Sequence, residues 1–130
     1  MNRRVMLSLV LLVSACNRSP QRLDEVLPPE VGGRWRRGDL RNASAVPPVI
    51  ASAKPQDSAE ATYTGPGTVR ILVFRMTSET SAFELMQKWR QDDGMAAYQG
   101  PFFFVAERTG ADPAAVMDLL VELKRSGHPA

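Results

Sequence analysis

Hydrophobic positions appear first as a block. Val5 to Val13 is apolar with only Ser8 interrupting, and apolar character stops at Cys16, before Asn17-Arg18-Ser19-Pro20. Downstream the pattern becomes periodic. Leu23, Val26 and Leu27 fall at i, i+3 and i+4, which predicts one helical turn closed by Pro28-Pro29. The double proline forces an extended continuation. Val31-Gly32-Gly33 leads into Arg34-Trp35-Arg36-Arg37, read as a strand or turn that buries Trp35 and leaves its arginines in water. Residues 39–57 are rich in Ala, Ser and Pro and read as loop or linker. Within them Val46-Pro47-Pro48-Val49-Ile50 suggests an extended edge piece, where proline is tolerated.

The strongest patterns begin near Ala59. Ala59, Ala61 and Tyr63 alternate with Glu60, Thr62 and Thr64, a period of two. Gly65-Pro66-Gly67 turns the chain. In the next strand Val69, Ile71 and Val73 point one way and Leu72, Phe74 and Met76 the other, so this strand is central and covered on both sides. The two runs form a hairpin with a three-residue loop. Thr77 or Ser78 caps a helix whose stripe is Ala82, Leu85, Met86 and Trp89, and Asp92-Asp93-Gly94 stops it. A loop through Tyr98, Gly100 and Pro101 leads to Phe102-Phe103-Phe104-Val105-Ala106-Glu107, a strand with large rings on both faces. Asp112 and Pro113 start a last helix with the stripe Val116, Leu119, Leu120 and Leu123.

These elements predict an α+β two-layer sandwich in the order β-β-α-β-α. The expected sheet has three to four strands, with two helices on one face. The fourth strand would come from the region of Trp35 to Ile50. The unit from Val69 to Ala106 makes its two strands either parallel neighbours or strands split around the first strand. The apolar second strand favours the mixed, partly parallel sheet. The expected divisions are residues 1–15, 16–22 as a tether, 23–58 as an irregular arm and 59–127 as the α+β domain.

The opening block carries the clearest address. Arg3 and Arg4 precede a run too short for the ~20 residues of a membrane span, and small residues follow it. That order is a secretory signal peptide. Its end, Val13-Ser14-Ala15-Cys16, resembles the lipobox of bacterial lipoproteins. The resemblance implies cleavage before Cys16, a diacylglycerol on its sulfur and usually an acyl group on the new amino terminus, so membrane lipid is the first expected partner. Two or three chains anchor stably where one does not. Ordinary signal cleavage would instead leave Cys16 as one free thiol outside the cytoplasm. In that family an aspartate after the cysteine marks inner-membrane retention. Asn17 departs from it, so the expected location is the bacterial envelope, outer membrane over inner, with the domain in the periplasm.

Composition then removes alternatives. Taking away the first 15 of 130 residues leaves 115, with 14 basic and 14 acidic side chains, so the basic character of the whole chain disappears. A nucleic-acid partner loses its electrostatic footprint. Cys16 is the only cysteine, which excludes an intramolecular disulfide. Asn42-Ala43-Ser44 matches a glycosylation pattern, which the bacterial reading sets aside. His128 is the only histidine and has no ligand or triad partners at suitable spacing. Asp92 and Asp93 read as a solvated helix end. With no nucleophile elbow, the chain is expected not to be an enzyme and to need no metal or cofactor.

Two sets of residues remain as candidate binding sites. Arg34, Arg36 and Arg37 beside Trp35 suggest contact with anionic lipid head groups. Trp89, Phe102 and Phe104 suggest a groove for an apolar ligand. Beyond the lipobox, Leu27-Pro28, Gly32-Gly33, Trp35, the hairpin, the Ala82-Phe83 helix and the Phe-rich strand resemble small bacterial lipoprotein domains, a resemblance that implies no catalytic role. The expected function is a membrane-anchored, non-enzymatic interaction or structural module with an envelope protein partner. The alternative is a periplasmic domain that binds an apolar ligand.

Overall fold

The computed structural model describes residues 22–90, 94–107 and 110–126. The residues read as a signal peptide and lipobox, Cys16 among them, lie outside this range, as do Asn17, Asp92, Asp93 and His128. Ten elements follow one another. They are α1 (Leu23–Val26), β1 (Glu30–Val31), β2 (Trp35–Arg37), α2 (Pro48–Ser52), β3 (Asp57–Thr64), β4 (Thr68–Arg75), α3 (Glu79–Lys88), β5 (Met95–Gln99), β6 (Phe102–Glu107) and α4 (Pro113–Ser126).

The strands form one curled sheet, a half-barrel, in the order β1-β2-β3-β4-β6-β5. Every pairing is antiparallel. This overturns the expected three- to four-stranded sheet with two helices on one face, and with it the mixed sheet. Two short hairpins account for the difference. Gly32-Gly33 lies in a turn that pairs β1 with β2, and Gly100-Pro101 pairs β5 with β6. Because β5 intervenes between α3 and the Phe-rich strand, β6 returns beside β4 running antiparallel to it, with Val73 opposite Phe104. Met95–Gln99 was expected as loop. The prolines of Val46–Ile50, expected in an extended edge, instead start a helix. Pro48 occupies the first turn of α2, where a missing N–H costs nothing, and Ile50 is fully buried.

The long hairpin matches its pattern. Thr64 pairs with Thr68 across Gly65-Pro66-Gly67, and β4 lies inside the sheet between β3 and β6. Gly65 is required by packing, since a Cβ there would collide with the Arg34 carbonyl oxygen in the β1–β2 turn. Ser78 caps α3 by accepting a hydrogen bond from the Ser81 amide at 3.0 Å. The Asp112 carbonyl accepts the first bond of α4, from the Val116 amide at 3.0 Å.

The alternation of β4 divides the core. On one face Val69, Ile71 and Val73 join Ala59, Ala61, Tyr63, Phe102 and Phe104 under α1 and α4, through Leu23, Val26, Val116, Leu119, Leu120 and Leu123. On the other, Leu72 and Phe74 join Phe103 and Val105 under α2 and α3, through Ile50, Ala82 and Leu85. The helices therefore cover both faces. The stretch 23–58 supplies residues to both cores, and Trp35 is the largest of its buried side chains. Among the described residues no helix is long and apolar enough to cross a membrane.

Candidate functional site

The arginine cluster lies on the β1–β2 hairpin, beside an open groove of about 630 Å³ lined by Glu30, Gly33, Arg34, Arg36, Arg37 and Thr64 with part of Trp35. Trp35 fixes the hairpin by burying its ring in the core formed with α1 and α4. Its indole nitrogen finds no hydrogen-bond partner among the described residues. The alternation of β2 then turns Arg36 away from that core.

Each arginine has a partner. Arg34 Nη1 donates to Asp118 Oδ2 of α4 at 2.9 Å, and Arg36 Nη2 lies 3.5 Å from Glu30 Oε2 across the hairpin. Arg37 donates to the carbonyl oxygens of Leu27 and Gly38, tying β2 back to the end of α1. The cluster is thus a compensated surface, and two of its three positive charges face carboxylates. Exposed pairs of this kind contribute at most about 1 kcal/mol each and weaken in salt. They nevertheless lower the field available to an external anion. The expected head-group contact through Arg34, Arg36 and Arg37 would have to displace these pairs.

A second polar cluster was not singled out in the sequence. Glu60 reads there as one of the outward residues of β3, yet it is 1% exposed and is the only buried charged residue among those described. It accepts hydrogen bonds from the Ser44 amide at 2.9 Å and the Ser44 hydroxyl at 3.2 Å. Arg41 Nε and Arg70 Nη1 lie 3.5 and 3.6 Å from its other oxygen. Arg70 also donates to Glu107 Oε1 of β6 at 2.6 Å. The Ser44 amide holds the Glu60 carboxyl below the usual carboxylate range. The Ser44 hydroxyl and the two guanidinium groups act the same way, and burial opposes them. Arg41 pairs backbone to backbone with Glu60 as well, so the cluster fastens residues 41–44 onto the sheet. Nothing in the alternating strand sets Glu60 apart from its polar neighbours Ser58 and Thr62, and its partners Arg41, Ser44 and Arg70 lie on other segments of the chain.

The three rings read as an apolar groove are not brought together. Phe102 and Phe104 are buried in the core under α4. Trp89 lies on the opposite face of the sheet, stacked edge-on against Phe103 with centroids 5.3 Å apart, and its indole N–H donates to the Gly94 carbonyl at 2.9 Å. An apolar recess of about 250 Å³ does exist at the start of α4, lined by Met95, Ala106, Ala111, Pro113 and Val116 among others. None of the three rings lines it.

Tyr63 ties the first helix to the sheet, its hydroxyl donating to the Pro28 carbonyl at 2.7 Å, and burial pushes its phenol well above the ordinary value. Among the described residues no group of three or more His, Cys, Asp or Glu is arranged to hold a metal ion. Compared with protein families, curated proteins and solved structures, the chain matches none.

Proposed function

We propose that this chain is a lipid-anchored protein of the bacterial envelope, whose folded part is a non-enzymatic interaction module held at the membrane through Cys16. One observation carries this reading: the order basic, apolar, small, cysteine from Arg3 to Cys16, followed at once by polar residues. The spacing of the folded part supports it. The first helix begins at Leu23, seven residues after Cys16, so a tether at most ~25 Å long in full extension joins lipid to domain. Asn17 supports the outer membrane over the inner. The functional surfaces favoured by this reading are those for a protein partner. Two of the three hairpin arginines already face carboxylates and the third is bonded to backbone carbonyls, and the aromatic rings are spread over two faces.

The test is the intact mass of protein extracted from membranes, beside Cys16→Ala. The proposal expects a mass increase matching a diacylglycerol and an acyl chain, lost in the variant together with membrane fractionation. A bare mature mass would overturn it and leave an exported protein with a free thiol.

A further inference from the structure

The outer edge of β5 is the end of the sheet, and no strand among the described residues pairs with it. We propose that this edge pairs with β5 of a second copy of the chain, antiparallel and centred on Ala97, so that two half-barrel sheets continue into one another.

The hydrogen-bonding geometry fits a two-fold. β5 and β6 are joined by the two-residue loop Gly100-Pro101, and Gly100 has φ +56°, as the first central position of a type II′ turn requires. Gln99 and Phe102 therefore close the hairpin as a hydrogen-bonded pair. In an antiparallel ladder such pairs alternate, so Ala97 with Phe104 and Met95 with Ala106 also bond inward. The N–H and C=O groups of Ala96 and Tyr98 then point outward. A two-fold axis at Ala97 sets Ala96 opposite Tyr98 of the second copy and Tyr98 opposite its Ala96, giving four backbone hydrogen bonds between copies. Both side chains of each such pair lie on the α3 face of the sheet, a small residue against a large one.

Charge and surface composition point to a copy of this chain as the occupant. Met95–Gln99 contains no charged residue, so the strand meets itself without like-charge repulsion. It also lacks the lysine, proline or bulge with which exposed edges are commonly protected. Three of the four large hydrophobic side chains exposed among the described residues are carried by the two helices that pack against it. Phe83 of α3 stacks edge-on against Tyr98 at 6.1 Å. Met117 of α4 lies about 100° round the helix from Asp118 and about 140° from Glu122, the residues that face the β1–β2 hairpin through Arg34 and Gly32. A two-fold uses such a patch twice. This pairing does not depend on the anchor at Cys16.

The test uses the full chain carrying Cys16→Ala, which removes the only native thiol. In the proposed register the two Ala97 Cα atoms face each other at ~4.5 Å, within disulfide range. Adding Ala97→Cys should give a two-chain disulfide on oxidation, whereas Ser52→Cys on α2 should not. Without the added cysteine, sedimentation should give the mass of two chains. Ala96→Pro removes an outward N–H and no bond to β6, besides restricting φ at 96 and the backbone of Met95, and should return the mass to one chain with the far-ultraviolet circular dichroism of a folded chain. Met117→Lys, at an exposed position, should weaken the pair in the same direction. A single-chain mass at every concentration together with no Ala97→Cys disulfide would overturn the proposal. So would a two-chain mass that a folded Ala96→Pro chain retains, or a disulfide from Ala97→Cys to a different protein. If Ala96→Pro fails to fold, the Ala97→Cys disulfide and Met117→Lys decide.

Discussion

The sheet ends in two edges that solve the same problem in opposite ways. β1, at one end, is two residues long and its Glu30 meets Arg36 across the hairpin. The adjoining turn is held by Arg34 to Asp118, and Arg37 reaches back to the Leu27 carbonyl. β5, at the other end, is five residues long and uncharged, with helices packed on both its faces and exposed Phe83 beside Tyr98. A short, charged edge offers little backbone to another strand, whereas a neutral five-residue edge offers a ladder. The arginine hairpin, the most conspicuous feature of the sequence after Cys16, is therefore the self-sufficient end. The inconspicuous Met-Ala-Ala-Tyr-Gln stretch is the end still able to pair.

The hairpin end should depend on burial far more than on its charges. Replacing Trp35 with alanine is expected to cost about 3–5 kcal/mol, as for other large buried rings. Chemical denaturation should show this as a lower midpoint. Trp35→Phe should cost clearly less, because it also removes an indole N–H without a partner. If Trp35→Ala proved as mild as a surface change, the hairpin would not be held by its ring, and the contrast between the edges would fail.

Glu60→Gln comes next, at about 1–3 kcal/mol, because it breaks a buried, hydrogen-bonded ionic cluster. Its pH dependence has a definite sign. The folded carboxyl sits below its ordinary value, so its contribution is fully present above the unfolded value of about 4.3 and is lost as pH falls through the lower folded value. The stability gap between wild type and Glu60→Gln should therefore be constant near neutrality and narrow in acid. A gap unchanged into strong acid would show that the charge of Glu60 plays no part. Because this cluster fastens residues 41–44, the variant should loosen the chain between β2 and α2 while leaving β5 unaffected.

Arg34→Ala should have the smallest effect, below about 1 kcal/mol and fading with added salt, since both partners of its ion pair are largely exposed. A larger, salt-independent loss would mean that the hairpin edge is held by its charges after all.

What could be read from the sequence follows from where the determining interactions lie. The β3–β4 hairpin, α3 and α4 carry their signals locally. These are period-two alternation, a three-residue turn, a Ser78 cap, and Asp112-Pro113 before a clean apolar stripe. The two-sided apolar character of Val69–Met76 pointed to cover on both sides of that strand, yet the expected two-layer arrangement put both helices on one face, which the structure overturns. β5 carries no such signal, because Ala96 and Ala97 are poor strand formers and become a strand only through pairing with β6 between two helices. α2 was hidden by Pro47-Pro48, which suit an extended edge and a helix start equally well. The candidate sites show the same division. Arg34, Arg36 and Arg37 were visible as a cluster, but the carboxylate that meets Arg34 lies 84 residues further along the chain. Glu60 was hidden by its own alternation, because an acidic residue at an outward strand position reads as solvated until Ser44, Arg41 and Arg70 are folded over it.

The contrast between the two edges rests on whether the outward backbone groups of β5 are bonded in solution, and amide hydrogen exchange resolved to single residues reads this directly. In the full-length Cys16→Ala chain, the account predicts that the amides of Ala96 and Tyr98 are protected to a degree approaching those of β6. It also predicts that Ala96→Pro removes the protection at Tyr98 while the β6 amides keep theirs. Rapid exchange at Ala96 and Tyr98 in the parent chain, at concentrations where β6 is fully protected, would contradict it.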